Sequence, residues 1–489
     1  MNHSAQLRVS AAELFGGTLE SFPLCPNLVR QIPRRVAART HEKECLVKPA
    51  DKQRRLTLSV DNLTSEGEGV ARLGRDVYFV PGALPGEEAE VVLDGRRRKV
   101  WQTRLLNLIK TSPERVTPDC PHYQRCGGCD LQHLAYDAQV AFKQERVARE
   151  LSRQGVEVPE WSAPIVAEPW HYRRKARLGV RYSKDSRENF VGFREASSAH
   201  ISNIDRCLVL PEHPALDWAA WREQINRLDA RAVITQIEAI AADNALALVL
   251  RILKPLSPGD EKKLCSFAAG LNIDGLLPLQ LWLKSERDAP AQLLWPEQAE
   301  PLHHQVDDLA LRLELSDFVQ VNGAVNRAMV QQALDWLQPG ADEVIWDLFA
   351  GHGNFSMPLA KRSQQVLAVE VEQSMVDSLA AQASNLALPL QAIQADLSGA
   401  GGLADLPEPQ AVLLDPPRAG AAGVMNELIA RRVPRILYVS CDAATLARDL
   451  NVLAAAGYQV RQAGIMDMFP QTHHVETMVL LERKAKRHG

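Results

Sequence analysis

From about residue 313 to the C-terminus, short apolar runs alternate with helix-like stretches: VIWDLF, QVLAVEV, LQAIQAD, AVLLDPP, RILYVSC, QVRQAGIM and ETMVLLER. Strand-length runs that are nearly continuous in apolar residues, with helix-length spacers between them, are what a mostly parallel sheet covered on both faces requires. The pattern predicts an α/β, doubly wound, Rossmann-like domain over 313–489. In such sheets ligands bind outside the carboxyl ends of the strands. The residues that close each run are therefore the first places to look for chemistry.

The segment VIWDLFAGHGNFSMPLA reads as strand, glycine turn, helix. Asp347 closes the strand, Gly351 and Gly353 permit close backbone approach to a ligand, and Asn354 and Ser356 lie near the helix start. The next run ends close to Glu370, whose carboxylate can bond both hydroxyls of a ribose. A dinucleotide site is the competing reading, but the third glycine of G-x-G-x-x-G is replaced by Ser356. S-adenosylmethionine has no pyrophosphate to cradle and suits the turn better. Asp396 closes the third run and is placed either to bind near an adenine or to cap a helix N-terminus.

Cys441 ends RILYVSC just before a helix-like stretch, and Asp415 ends AVLLD before a proline pair. Consecutive strands would make them neighbours at one sheet edge. Further on, IMDMFPQTHHVETMVLL offers Asp467, Phe469, His474 and Glu476. A thiol beside a carboxylate over a methyl-donor site suits methylation of uracil carbon-5. That carbon is a poor nucleophile until a thiolate adds at carbon-6 and converts the ring to an enolate. A base must afterwards remove the carbon-5 proton, and Glu476 is a candidate for it. Taken singly, Cys441 reads as a buried strand-end thiol and Glu476 as an ordinary strand residue.

Upstream the chain changes character. The 489 residues carry a net charge of −4, enough length for about three domains and no bulk signature of a nucleic-acid binder. No apolar run is long enough to span a bilayer, and MNHSAQLRVSAAELF lacks a secretory pattern. A cytoplasmic protein is expected, in which eight cysteines serve as ligands, nucleophiles or buried thiols rather than disulfides. Residues 1–51, with Cys25 and Cys45, are expected to be a poorly ordered extension. Over 52–110, short β-rich runs between Gly, Pro and Asp predict a five-stranded barrel. A central domain is expected over 111–312, with ALALVLRIL and LLPLQLWL as strands. There CPHYQRCGGC places Cys120, Cys126 and Cys129 around a Gly-Gly pair, and Cys207 in IDRCLVLPEH is the best fourth ligand. Four thiolates suit structural zinc or a [4Fe–4S] cluster alike. Residues 171–194 hold eight Lys and Arg against two acids, and GRRRK at 95–99 is a second basic cluster. Both could contact phosphates or be solvated basic faces.

The segments CPHYQRCGGCDLQHL, YRRKARL, VGFREASSAHISNIDRC, DFVQVN, DLFAGHGNF, DPPRAG, YVSCDAATLARD and DMFPQTHHVE, in this order, resemble the S-adenosylmethionine-dependent RNA uracil-5-methyltransferases, and the resemblance runs from about 52 to 485. It implies a class I methyltransferase domain, an RNA-binding TRAM barrel over 52–110, and a [4Fe–4S] cluster on Cys120, Cys126, Cys129 and Cys207. It implies Cys441 as nucleophile and Glu476 as base, with Gln320, Phe349, Asn354, Glu370, Asp396 and Asp415 around cofactor and target base. Phe318 and Gln320 enter only through this resemblance. The transfer-RNA branch is expected to lack both cluster and TRAM domain, and a shorter ribosomal branch to lack TRAM. Having both implies 23S ribosomal RNA as partner, with the protein acting as a monomer away from membranes. Four positions depart from the family pattern. Asp442 stands where Asn is typical, and an inward-pointing carboxylate there would raise the thiol's pKa. Ala350 and His352 occupy the glycine turn, and His473 replaces a familiar Gly. The rival readings are a tRNA uracil-5-methyltransferase, an RNA cytosine-5-methyltransferase, which also uses a cysteine, and a non-enzymatic iron–sulfur RNA-binding protein.

Overall fold

A computed structural model of the chain describes residues 54–484, apart from 197, 286–288 and 400–401. The expected extension over 1–51, with Cys25 and Cys45, lies outside the described residues. Five strands, β1 (Arg55–Leu63), β2 (Gly69–Leu73), β3 (Asp76–Val80), β4 (Glu88–Arg97) and β5 (Val100–Lys110), close into a barrel in the order β1-β2-β3-β5-β4. Leu58 and Val60, Tyr78 and Val80, and Ala89, Val91 and Leu93 point inward at alternate positions. That period of two is what lets side chains alone fill so small a barrel. The cysteine-bearing loops follow, then α1 (Tyr136–Arg153). The buried residues of α1 are Gln139, Lys143, Val147 and Leu151, four apart and so on one face.

The central sheet is built from β6 (Lys175–Tyr182), β7 (Asn189–Gly192), β8 (Ile234–Ala241), β9 (Leu246–Ile252), β10 (Leu279–Lys284) and β11 (Gln292–Trp295), in the order β11-β10-β9-β8-β6-β7. Helices α2 (Trp218–Asn226) and α3 (Pro258–Leu271) pack on it through Trp218, Trp221, Ile225, Leu264 and Ala268. The runs ALALVLRIL and LLPLQLWL become the parallel neighbours β9 and β10. Part of the basic 171–194 stretch is taken up by partners within the fold. Arg174 pairs with Asp243 at 2.5 Å, Lys175 donates to the carbonyls of Leu315 and Asp317, and Arg177 reaches Glu238. These partners lie 60 or more positions away, as with Arg177 and Glu238 at 61, so no local pattern reveals them. Arg181, Lys184 and Arg187 are exposed and form no salt bridge among the described residues.

A hairpin of β12 (Leu302–Val306) and β13 (Leu309–Leu313) and helix α4 (Gly323–Leu337) lead into the C-terminal sheet. The hairpin's Val306 and Leu311 share a core with α4, so packing with this domain begins before residue 313. The sheet contains β14 (Val344–Leu348), β15 (Gln365–Glu370), β16 (Leu390–Gln394), β17 (Ala411–Leu414), β18 (Arg435–Ser440), β19 (Tyr458–Met466) and β20 (Glu476–Arg483). Helices α5 (Ser356–Ala360), α6 (Gln373–Asn385), α7 (Ala422–Ala430) and α8 (Ala443–Ala455) connect its strands. The order is β16-β15-β14-β17-β18-β20-β19, with β20 antiparallel to both neighbours. Trp346, Leu367, Val412 and Ile436 enter one core with α7, α8 and part of α1, while Ile345, Val366, Ala411 and Leu437 enter the other with α4 and α5. Burial on both faces is why the sequence shows continuous apolar runs instead of alternation. The strand order reverses between β14 and β17, which opens the crevice used by ligands in such sheets. Because β20 runs backwards, its first residue, Glu476, arrives at the edge where β14, β15, β17 and β18 end.

Candidate active site

Register brings the reactive candidates together. Leu414 pairs with Tyr438 and Ser440 pairs with Thr477, so Asp415, Cys441 and Glu476 emerge side by side at the carboxyl edge. Glu476 is buried, and burial raises its pKa well above the usual carboxylate range, with the Asp415 charge adding and Arg418 opposing. Burial pushes Asp415 up to about 7. The half-buried Cys441 thiol is pushed up to about 11, first by burial and then by Glu476 and Asp415, against the pull of Arg418. Three acids therefore share one dry edge, where ionising any of them is opposed by low solvation and by the others. A carboxylate in this setting is a strong proton acceptor once it does ionise. Arg418 is the cation that acts on both thiol and base. It follows the Asp-Pro-Pro run directly, which is the signal that sequence reasoning passed over.

Asp442 does not point at the thiol. Its carboxylate accepts the N–H groups of Ala444 and Thr445 at 3.1 and 2.9 Å and caps α8. The thiol's pKa is raised, but by burial, Glu476 and Asp415 rather than by Asp442. His474 lies edge-on to Phe469 at 5.7 Å between ring centroids, and burial lowers its pKa to about 4, so it is neutral at pH 7. His473 pairs through Nδ1 with Asp130 at 2.6 Å. Asp467 does not face the site: it is wholly buried against Lys143 of α1, Nζ to Oδ1 2.6 Å.

The glycine turn is shaped for a ligand. Phe349, Gly351 and Gly353 all have positive φ, at 65°, 54° and 87°. A Cβ on Gly353 would meet Leu379 at 2.5 Å, whereas one on Gly351 would project into open space. Gly351 donates its N–H to Glu370 Oε2 at 3.0 Å, and Glu370 Oε1 accepts from Val371 and Glu372 at 2.8 and 3.1 Å. Three backbone donors thus fix this carboxylate at the crevice. Ser356 donates its hydroxyl to Asp347, so it serves that acid rather than the open face. Asp347 is wholly buried with one oxygen unpaired, and burial pushes it to about 7. Asn354 and Asn326 exchange hydrogen bonds at 2.8 and 3.0 Å. Asp396 is exposed, its carboxylate accepts the Ser398 N–H at 2.8 Å, and the Ser398 side chain and then this N–H lower its pKa. It caps a turn beyond β16 rather than a helix. Gln320 is half-buried on the strap before α4, next to Phe318, which is 66% exposed. An open cradle at Gly351 flanked by a fixed acid fits an adenosyl group.

Cys120, Cys126, Cys129 and Cys207 are all free and half-buried, and they lie close enough to act on one another electrostatically. Burial, and then the neighbouring sulfurs, push Cys129 up to about 12. The Leu210 N–H donates to the Cys207 carbonyl at 3.1 Å and closes a turn around that residue. Gly127 explains the glycine pair: its N–H donates to the Arg194 carbonyl at 2.9 Å, and a Cβ there would lie 3.0 Å from that oxygen. Among the described residues, no three Cys, His, Asp or Glu side chains converge as ligands of a single metal ion.

Residues 299–394 and 405–484 match the family described as tRNA (Uracil-5-)-methyltransferase, and residues 52–99 match the TRAM domain. The 23S rRNA (uracil(1939)-C(5))-methyltransferase RlmD of Pseudomonas fluorescens is 42% identical over 447 residues, covering 89% of this chain and 93% of that protein. The protein of the same name from Shewanella putrefaciens is 38% identical over 440 residues, covering 88% and 96%. Among solved structures, the Pyrococcus abyssi tRNA (uracil-54, C5)-methyltransferase in complex with S-adenosyl-L-homocysteine aligns with a TM-score of 0.67 at 22% identity, covering 87% of this chain and 99% of that one.

Proposed function

This chain belongs to the family of the 23S rRNA (uracil-C5)-methyltransferases, and from that premise we propose that it methylates carbon-5 of one uridine in 23S ribosomal RNA, the one its relatives' names number 1939. The observation that carries the reading is the meeting of Cys441, Asp415 and Glu476 at the sheet edge beside the glycine turn. The fold alone does not choose the RNA. It is shared along most of the chain with a protein named for acting on tRNA, so the fold does not separate the rRNA reading from the tRNA alternative. Sequence identity of about 40% with the ribosomal enzymes decides for rRNA.

The target base would be flipped out of its stack to reach the edge. The Cys441 thiolate adds to carbon-6, and the carbon-5=carbon-6 electron pair moves towards the carbon-4 oxygen as an enolate. S-adenosylmethionine, when bound, supplies the methyl group that carbon-5 attacks. Glu476 takes the proton from carbon-5, and the carbon–sulfur bond breaks as the double bond reforms, which returns the thiolate. Asp415 holds the ring by hydrogen bonding. Glu370 and the Gly351 turn hold the adenosyl group, with Asn354, Phe349 and Gln320 around it. Asp396 remains a candidate for its adenine side, although Ser398 is its partner here.

A 5-fluorouridine-substituted RNA cannot release its carbon-5 substituent as a proton. With the cofactor it should give a stable protein–RNA adduct on denaturing gels. Glu476→Gln should accumulate the corresponding adduct on ordinary RNA, with turnover down by at least about 10²-fold for loss of the base. No adduct from the wild type overturns the covalent route, and 5-methylcytidine in digested product would move the reading to cytosine chemistry.

Cys120, Cys126, Cys129 and Cys207 would hold a [4Fe–4S] cluster. Four half-buried free thiols close enough to act on one another, three of them on a loop folded tightly at Gly127, supply the four-thiolate set such a cluster takes. Anaerobically purified protein is expected to show visible iron–sulfur absorbance and bound iron with acid-labile sulfide, both lost in Cys207→Ser. Stoichiometric zinc in place of iron would reverse the assignment.

A further inference from the structure

The segment 314–322 forms a strap between the hairpin and α4, and it is held from several sides. Lys175 Nζ donates to the Leu315 and Asp317 carbonyls at 3.0 and 2.7 Å. The Arg174 N–H reaches the Val321 carbonyl at 2.7 Å. Within the strap, the Asp317 carboxylate accepts the Glu314 N–H at 2.7 Å. These tethers anchor the strap to itself and to the central sheet. A further one comes from the glycine turn: His352 Nε2 meets Asp317 Oδ1 at 2.9 Å, with the two side chains only 8% and 10% exposed.

The consequence is a fixed alternation. Asp317 and Val319 are buried, and Phe318 between them projects outward at 66% exposure. A large aromatic side chain pinned on both flanks and open on its face is a platform for a planar ring. His352 joins that platform to the Gly351–Asn354 turn by one buried, directional contact. We propose that His352 is a positioning residue for methyl transfer, which sets the strap carrying Phe318 and Gln320 at a fixed distance from the cofactor turn through Asp317. This rests on the uridine-methylation reading above. A buried contact of this kind admits little slack, and a misplacement of about 1 Å between reacting groups can cost on the order of 10² in rate.

The test is a double-mutant cycle on the full-length protein, carrying whatever metal group it purifies with, using His352→Ala, Asp317→Ala and the pair. His352→Gln is added because its amide N–H can stand near the position of Nε2. Steady-state kcat and the KM for S-adenosylmethionine are measured with rRNA fragments. His352→Ala is expected to lower kcat by about 10- to 100-fold with the cofactor KM within about threefold. The pair should be no slower than the slower single variant, and His352→Gln should regain most of the rate. A cofactor KM that rises while kcat holds would overturn the proposal, because His352 would then only shape the turn. Single-variant losses that multiply in the pair would overturn it equally. A wild type that forms no 5-methyluridine at all would instead defeat the methyltransferase reading, and this inference with it.

Discussion

Cys441→Ala is expected to abolish adduct formation with 5-fluorouridine RNA and to lower methyl transfer by at least about 10⁴-fold, the scale of deleting a covalent nucleophile. The fold should survive, since the half-buried side chain at the end of β18 loses only its sulfur. The wild-type adduct rate has a definite pH dependence. The reactive form is the thiolate, and burial with Glu476 and Asp415 nearby pushes the thiol to about 11. The neutral thiol therefore dominates across the physiological range, and the thiolate fraction grows about tenfold per pH unit below that value. Single-turnover adduct formation at saturating RNA should rise with pH from 7 towards 10 and not plateau near 8. Arg418 pulls the pKa of both thiol and base downward, so Arg418→Ala should move the rise to still higher pH. A rate already flat at pH 7 would mean that bound RNA itself ionises the thiol.

The C-terminal sheet was open to sequence reasoning because its central strands β14, β15, β17, β18 and β20 are buried on both faces. Its seven apolar runs correspond to β14 through β20, and the residues that close β14, β15, β17 and β18 reach one edge with the first residue of β20. The barrel was open for the opposite reason: Leu58, Val60, Val80, Val91 and Leu93 alternate strictly and the turns carry glycine. What sequence left hidden depends on partners far along the chain. Lys175 looked like one more cation in a basic face until the Leu315 and Asp317 carbonyls appeared beside it. Asp442 looked like a threat to the thiol because adjacency in sequence says nothing about direction. Its helix-capping role was legible in principle, as an Asp immediately before AATLARDL. The roles of Phe318 and Gln320 came from resemblance alone, since nothing in DFVQVN announces that its second residue is held outward by its neighbours. His352 was noticed only as a departure, and its meaning depended on Asp317, 35 positions earlier in the sequence.

Lys143 is the largest such surprise, and replacing it should have the largest effect on stability. In AFKQERVARE it reads as a solvated helix residue, yet it lies on the same face of α1 as Gln139, Val147 and Leu151. Its ammonium is wholly buried, 2.6 Å from Asp467 Oδ1 and 3.0 Å from the Phe469 carbonyl. Beside it Gln139 exchanges hydrogen bonds with Gln471 at 3.0 Å in both directions. Together they bind the loop between β19 and β20, which carries Phe469 and His474 and delivers Glu476 to the edge. Burial pulls the Lys143 pKa down, and Asp467 opposes that fall. Lys143→Met leaves the Asp467 carboxylate buried without its cation, so it is expected to cost about 3–5 kcal/mol, read as a fall in the denaturant midpoint. Lys143→Met with Asp467→Leu removes both charges and should recover most of that stability. Stability and catalysis should then part company. The double variant keeps its fold but loses the hydrogen bond to the Phe469 carbonyl, so its loop is free to shift Glu476 against Cys441. Its midpoint should lie near wild type while release of the methylated adduct stays slow. A double variant as unstable as the single one would show that the pair is not what the buried charge costs, and wild-type turnover in it would show that the loop holds Glu476 in place without α1.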